Sequence, residues 1–184
     1  IIWGWSFRIA ESLDAANRRD LSFSGTKQGL RVVFKTRVTI GYAITLLFSG
    51  GAFYSFLSSS ELIISEIFQK PTWFVPYFSI TMGVMAAVAL AGSRVVGRLG
   101  ARRLGHSALA FQMGVSLLML TLALSTDGVP PVGLWMVLMT AQIAAMVIMM
   151  PTMTTMALEP MEALAGTAAS TIGFITLAIG ALLG

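Results

Sequence analysis

Charged residues divide this chain into long uncharged runs, and the runs set the first expectation. Between Arg37 and Glu61 lie about 23 uncharged residues, and about 23 more separate Lys70 from Arg94; a membrane-spanning helix needs roughly 20. Arg103 and Asp127 bound another run of about 23, Asp127 and Glu159 one of about 31, and about 22 residues follow Glu162, so each is long enough to span. The tryptophan-rich opening Ile1–Phe7 reads as the last turns of a further helix, because indole rings favour the membrane interface. Strands fit poorly. A membrane strand alternates apolar and polar residues, whereas Val132–Met150 is apolar on every face. A lipid-embedded segment of that length must satisfy its backbone internally, as a helix. The predicted fold is all-α, a polytopic membrane helix bundle of about five transmembrane helices plus the end of a sixth.

Composition strengthens this. Hydrophobic residues make up 56% of the chain and charged residues 11%, with a mean hydropathy of +0.82, whereas a soluble domain carries about 25% charge. The expected solvent for much of the surface is the lipid bilayer. A pI near 10.0 can mark a nucleic-acid binder, but that requires basic residues gathered on one soluble face. Here they sit between apolar runs, which excludes nucleic acid as the expected partner. With no cysteine and a single histidine, His106, neither a disulfide framework nor a zinc site can be built, and no cofactor is expected. The chain starts at Ile1 and stops within an apolar run, so both ends look cut.

Lys and Arg set the orientation. Seven of them, Arg8, Arg18, Arg19, Lys27, Arg31, Lys35 and Arg37, precede the first full span, Arg94, Arg98, Arg102 and Arg103 fill the second connection, and Lys70 falls on the opposite side. The positive-inside rule places the first two groups in the cytoplasm, with the turn at Met156–Ala165 there by alternation. Residues 1–37 are therefore expected to hold a helix end and a cytoplasmic linker near anionic headgroups, and residues 38–184 the transmembrane bundle.

Several residues are candidates for function. Glu61 follows Ser58-Ser59-Ser60 at the outer end of the first full span, and an ionisable group there can gate an outer opening or bind a proton or cation; facing water with Glu66 is the simpler alternative. Gln142 is polar in mid-span and can hydrogen-bond a substrate in a central cavity, while Gln112 lies nearer its inner end; both can equally join helices. Met136, Met139, Met146, Met150 and Met153 share one helical face, and flexible thioethers suit a surface that accepts several apolar ligands, or simply fill a core. Of these, Met139, Met146 and Met150 are taken with Glu61 and Gln142 as the candidate substrate pathway. Pro151 should bend its helix, with Thr152, Thr154 and Thr155 taking up freed carbonyls. Gly166, Ser170, Gly173 and Gly180 recur near helical spacing and predict close helix packing, with rocking as a functional version of it. His106 reads as an interfacial histidine, with no motif placing a serine nucleophile or carboxylate beside it, and an enzyme is not expected.

The stretch Arg94-Val-Val-Gly-Arg-Leu-Gly-Ala-Arg-Arg-Leu104 reads as a tight cytoplasmic hairpin and resembles the cytoplasmic-loop signature of the major facilitator superfamily. Arg98, Gly100, Arg102 and Arg103 match its R-x-G-x-R-R core; Gly97 stands where an acidic residue belongs and Ser93 where the first glycine does. Ala157-Leu-Glu-Pro-Met-Glu-Ala-Leu-Ala-Gly-Thr-Ala-Ala-Ser-Thr-Ile-Gly-Phe174 resembles the junction of helices 10 and 11 in the Bcr/CflA drug-resistance branch of that superfamily. Glu66-Ile-Phe68 is similar to the E-V-Y after helix 7. This resemblance implies helices 7 to 11 of a 12-helix transporter, its carboxy-terminal half, in the bacterial inner membrane. It further implies proton-coupled efflux of small apolar drugs, with the missing amino-terminal half, substrate and protons as partners. The acidic coupling residues of the family lie mainly in that other half, so this piece alone is not expected to transport. An amino-acid or metabolite exporter and a non-transporting membrane subunit are the alternatives.

Overall fold

The computed structural model describes residues 31–183. The readings of Ile1–Phe7 as a helix end and of most of the 1–37 linker lie outside them. The described chain forms an all-α membrane helix bundle. Its long helices are α1 (Arg37–Leu62), α2 (Phe74–Leu99), α3 (Ala101–Ser125), α4 (Val132–Leu158) and α5 (Ala165–Leu183). A π-helical turn, Ile63–Ile67, extends α1, and 3₁₀ turns at Pro71–Trp73 and Glu159–Leu164 lead into α2 and α5. Among the described residues, five segments are long and apolar enough to cross a membrane, in the order the charge pattern predicts.

One boundary differs from expectation. The arginine-rich stretch is not a loop: α2 runs through Arg94 and Arg98, α3 starts at Ala101, and Gly100 alone connects them. Gly100 sits at φ +80°, a left-handed conformation open to glycine at little steric cost. The arginines of both helix ends are exposed and can reach past the hydrocarbon boundary on their long stems. Charge therefore does not mark where the helix ends.

The helices alternate in direction, which segregates the two ends. At one, Thr39 Oγ1 donates to Ala157 O at 3.0 Å, and Val33, Met161 and Ala168 form a buried cluster. At the other, Phe68 packs on Trp135 with ring centroids 5.5 Å apart, and Lys70 Nζ lies 4.3 Å from the Trp73 ring centroid. Arg31, Lys35 and Arg37 lie toward the first end, and the Gly100 connection joins it, since Gly105 packs on Thr152 and Met156.

Helix α4 is central and touches every other helix, which explains why its sequence is apolar all round. It carries two cores. Toward the basic end, Met149, Met153 and Met156 meet Leu46, Ala108 and Ile172; toward the other, Trp135, Ile143 and Met146 meet Phe56, Ile64 and Tyr77. Pro151 lies within α4 and cannot donate to the carbonyl of Val147. The threonines expected to take up that freed group bond elsewhere: Thr152 Oγ1 donates to Ile148 O and Met149 O, Thr154 to Met150 O and Thr155 to Pro151 O, at 2.8–2.9 Å. They reinforce the turn around the proline rather than the carbonyl it orphans.

Helix α5 packs on α1, though not through the small residues singled out. Gly166 and Gly173 have open space where a Cβ would stand, and Ser170 is exposed. Only Gly180 makes a close approach, a built Cβ lying 3.4 Å from Gly51 N and 3.6 Å from Gly50 C. The packed stripe is Ile172, Thr176 and Gly180, every fourth residue, set against Leu46, Gly50 and Tyr54 of α1, and Ala168 one turn earlier packs with Val33 and Met161. Both are i±4 ridges, which drift around a helix. Spacing among small residues alone picks the wrong face because a branched Ile172 and Thr176 complete the true one.

Candidate functional site

A cavity of about 340 Å³ opens between α1 and α4 in the half of the bundle away from the basic end. Its first wall is Ala52, Ser55, Phe56, Ser59 and Ser60 of α1 with Ile63 of the π-helical turn that extends it, and its α4 wall includes Trp135, Met139, Gln142 and Met146. Each set follows helical spacing, so one face of each helix supplies it.

The polar groups are few and neutral. Ser59 Oγ donates to the Ser55 carbonyl, the ordinary way a hydroxyl is satisfied inside an apolar helix. Ser60 is fully buried, and its hydroxyl has no hydrogen-bond partner. The Gln142 amide is half-buried and makes no hydrogen bond to a described residue. Such groups cost free energy unless something pairs with them. Around them the wall is aromatic and thioether: Phe56, Trp135, Met139 and Met146.

Met139, Met146 and Gln142 thus come together, as three of the five residues proposed for a substrate pathway. Met150 lies about one turn beyond Met146 and packs between the two cores rather than on the cavity. Glu61 is exposed and does not line the cavity, although Ser60 beside it does. Met153, on the same face in the sequence, is 0% exposed within the other core. Met136 borders a separate groove of about 550 Å³ between α2 and α4, with Trp73, Tyr77 and Thr140. Next to that groove, Thr81 Oγ1 and Thr140 Oγ1 are 3.0 Å apart. Gln112 is buried with its Oε1 unpartnered. His106 is exposed; its Nδ1–H donates to Arg102 O at 2.7 Å, and its ring meets Tyr42 edge-on. Among the described residues no cluster of three potential metal ligands occurs.

Sequence reasoning missed the α1 wall. The signal was present: Ala52, Ser55, Ser59 and Ser60 place small and polar residues on one face of an apolar helix, but the neighbouring Glu61 drew the attention that belonged to Ser60.

The chain is 25% identical over 179 residues to a bicyclomycin resistance protein homolog of Haemophilus influenzae, a match that covers 97% of this chain and 44% of that protein. The chain therefore spans less than half the length of the curated relative it matches. No family model and no solved structure matches it.

Proposed function

We propose that this chain is the carboxy-terminal bundle, helices 7 to 11, of a major facilitator transporter of the Bcr/CflA branch in a bacterial inner membrane. In this reading it exports small, mostly apolar compounds, antibiotics among them, in exchange for protons. The match to a bicyclomycin resistance homolog along 97% of the chain carries the reading. The α1–α4 cavity supports it, since a transporter of this class holds substrate between its two halves near mid-membrane. Met139, Gln142 and Met146 then belong to the substrate path, and Glu61, outside the cavity, acts at its outer rim. Arg94, Arg98, Gly100, Arg102 and Arg103 form the cytoplasmic hinge between α2 and α3, and the α1–α5 ridge contact moves as a unit when the halves rock. Residues 1–37 connect this bundle to the other half. His106 faces its own helix and Tyr42 rather than a nucleophile, which favours transport over hydrolysis.

The test is substrate-driven proton flux in proteoliposomes containing the full-length protein. An apolar antibiotic or dye should drive proton movement down its own gradient. Gln142→Ala should reduce that flux about tenfold, the loss of one well-placed hydrogen bond, while Glu61→Gln should have a smaller effect. No flux across a broad panel of compounds would leave the export reading without support.

A further inference from the structure

We infer that a groove between α2 and α3, floored by α4 and open at the basic end of the bundle, binds one anionic phospholipid. An acyl chain lies along the groove, and the arginines at its mouth hold the phosphate diester. This site is separate from the α1–α4 cavity and needs only the membrane helix bundle, not the transport reading.

The groove follows from how three helices meet. Helices α2 and α3 each pack on α4 but touch one another far less, so they leave a wedge between them as they run from the Gly100 connection. Two cavities lie in that wedge, one of about 350 Å³ at the basic end and one of about 340 Å³ beyond it. Leu104 and Ile148 border both, so the two are continuous. The floor on α4 runs from Thr155 to Ala141, about 21 Å at 1.5 Å per residue. Half of the hydrocarbon thickness is about 15 Å, so the groove has room for the chain of one leaflet. Small residues make it deep: Ala141, Ala144 and Ala145 line its inner part. Ala89, Ser93, Ser107 and Phe111 on its walls are exposed, so its outer side is open. Of the five spans, those of α2 and α3 are the least covered by described protein, and lipid is what such a face meets.

Charge at the mouth selects the headgroup. Val96 and Ala101 border the groove on either side of the Gly100 connection, among Arg94, Arg98, Arg102 and Arg103. All four arginines are exposed, and none pairs with a carboxylate among the described residues. Glu159, just past the end of α4, is exposed and pairs with none of them either. A guanidinium is a planar fork that matches a phosphate, and basic pockets between membrane helices favour anionic headgroups. A zwitterionic lipid brings its own cation to the same four arginines and gains less. The apolar groove adds what a free anion cannot use, which distinguishes a lipid from dissolved phosphate.

The experiment is native mass spectrometry of the full-length protein released from mixed micelles that hold equal amounts of phosphatidylglycerol and phosphatidylcholine. Wild type should retain one tightly held phosphatidylglycerol, favoured about tenfold or more over phosphatidylcholine. Ser107, whose hydroxyl bonds only within α3, is the place to fill the groove. Ser107→Phe should remove that one lipid, and Ala89→Leu should do the same from the opposite wall. Joint replacement Arg98→Gln and Arg102→Gln should keep a lipid in the groove but cut the preference to about twofold or less. Retention of the same lipids by wild type and both groove variants overturns the inference, as does an undiminished preference in the arginine variant. Displacement of the lipid by excess inorganic phosphate also overturns it, because a site for the free anion makes no use of the groove. If wild type retains no lipid and both groove variants lose stability in sodium dodecyl sulfate, another part of the full-length protein covers the groove, and the lipid site is rejected.

Discussion

Gly105→Val should be among the most damaging single substitutions in the bundle, costing about 3 kcal/mol or more. Gly105 lies on α3 where it meets α4. A Cβ built on it falls 2.6 Å from Thr152 Oγ1, 3.0 Å from Thr152 Cβ and 3.1 Å from Met156 Cε. The methionine terminus can swing away, but Thr152 cannot. Its hydroxyl is engaged with the carbonyls of Ile148 and Met149, and its Cβ is fixed to the backbone. The helices must separate, and α3–α4 is the most extensive helix pair described. Even Gly105→Ala should destabilise, although alanine is better than glycine in a helix by about 1 kcal/mol. Gly114 on the same helix has open space around it, so Gly114→Ala should be neutral or stabilising. Reversible unfolding of the full-length protein by sodium dodecyl sulfate in mixed micelles gives both values. Equal effects at the two glycines would mean that α3 and α4 do not pack as described.

The second large effect belongs to Met153→Ala, at about 2 kcal/mol. Met153 is 0% exposed and sits among Leu46, Ala108, Met149, Met156 and Ile172. Truncating a buried side chain in water loses both transfer energy and packing, and typically costs 2–5 kcal/mol. In lipid the transfer part is small, because the unpacked side chain would meet hydrocarbon anyway. The cost should thus fall at the low end, from the void alone. Met113→Ala, at 59% exposure on the outside of α3, should leave stability unchanged. Met139→Ala should also unfold normally and show its effect on substrate binding, which separates cavity methionines from core methionines that share one face of α4.

How much of this was legible beforehand differs from element to element. The number and order of the five spans among the described residues followed from charge spacing, because lipid leaves a chain almost no choice but helix. Helix ends did not follow, since Arg94, Arg98, Arg102 and Arg103 are helical and arginine stems let a helix extend beyond the hydrocarbon. The π-helical turn at Ile63–Ile67 had no sequence signal that we can identify. Packing faces were half legible. Sequence spacing puts the α4 methionines on one face, but Met136 borders the α2 side and Met139 and Met146 the α1 side; which of them border a cavity depends on how α1 crosses α4, and one sequence does not encode that crossing in any local pattern. The α5 stripe was missed for the same reason, as Ile172 and Thr176 pack while Gly166 and Gly173 do not.

The most direct test of the central claim is substrate protection at the cavity. This chain contains no cysteine, so a thiol placed by Met139→Cys, in a full-length protein cleared of any cysteine elsewhere, can be followed with a small membrane-permeant maleimide. Val129→Cys, in the connection between α3 and α4 at 53% exposure, serves as the reference, because only a thiol that meets water forms the reactive thiolate. An exported compound at ten times its Kd should slow labelling of Met139→Cys about tenfold and leave Val129→Cys unaffected. Labelling of Met139→Cys at the same rate with and without the compound would contradict the placement of the substrate path between α1 and α4.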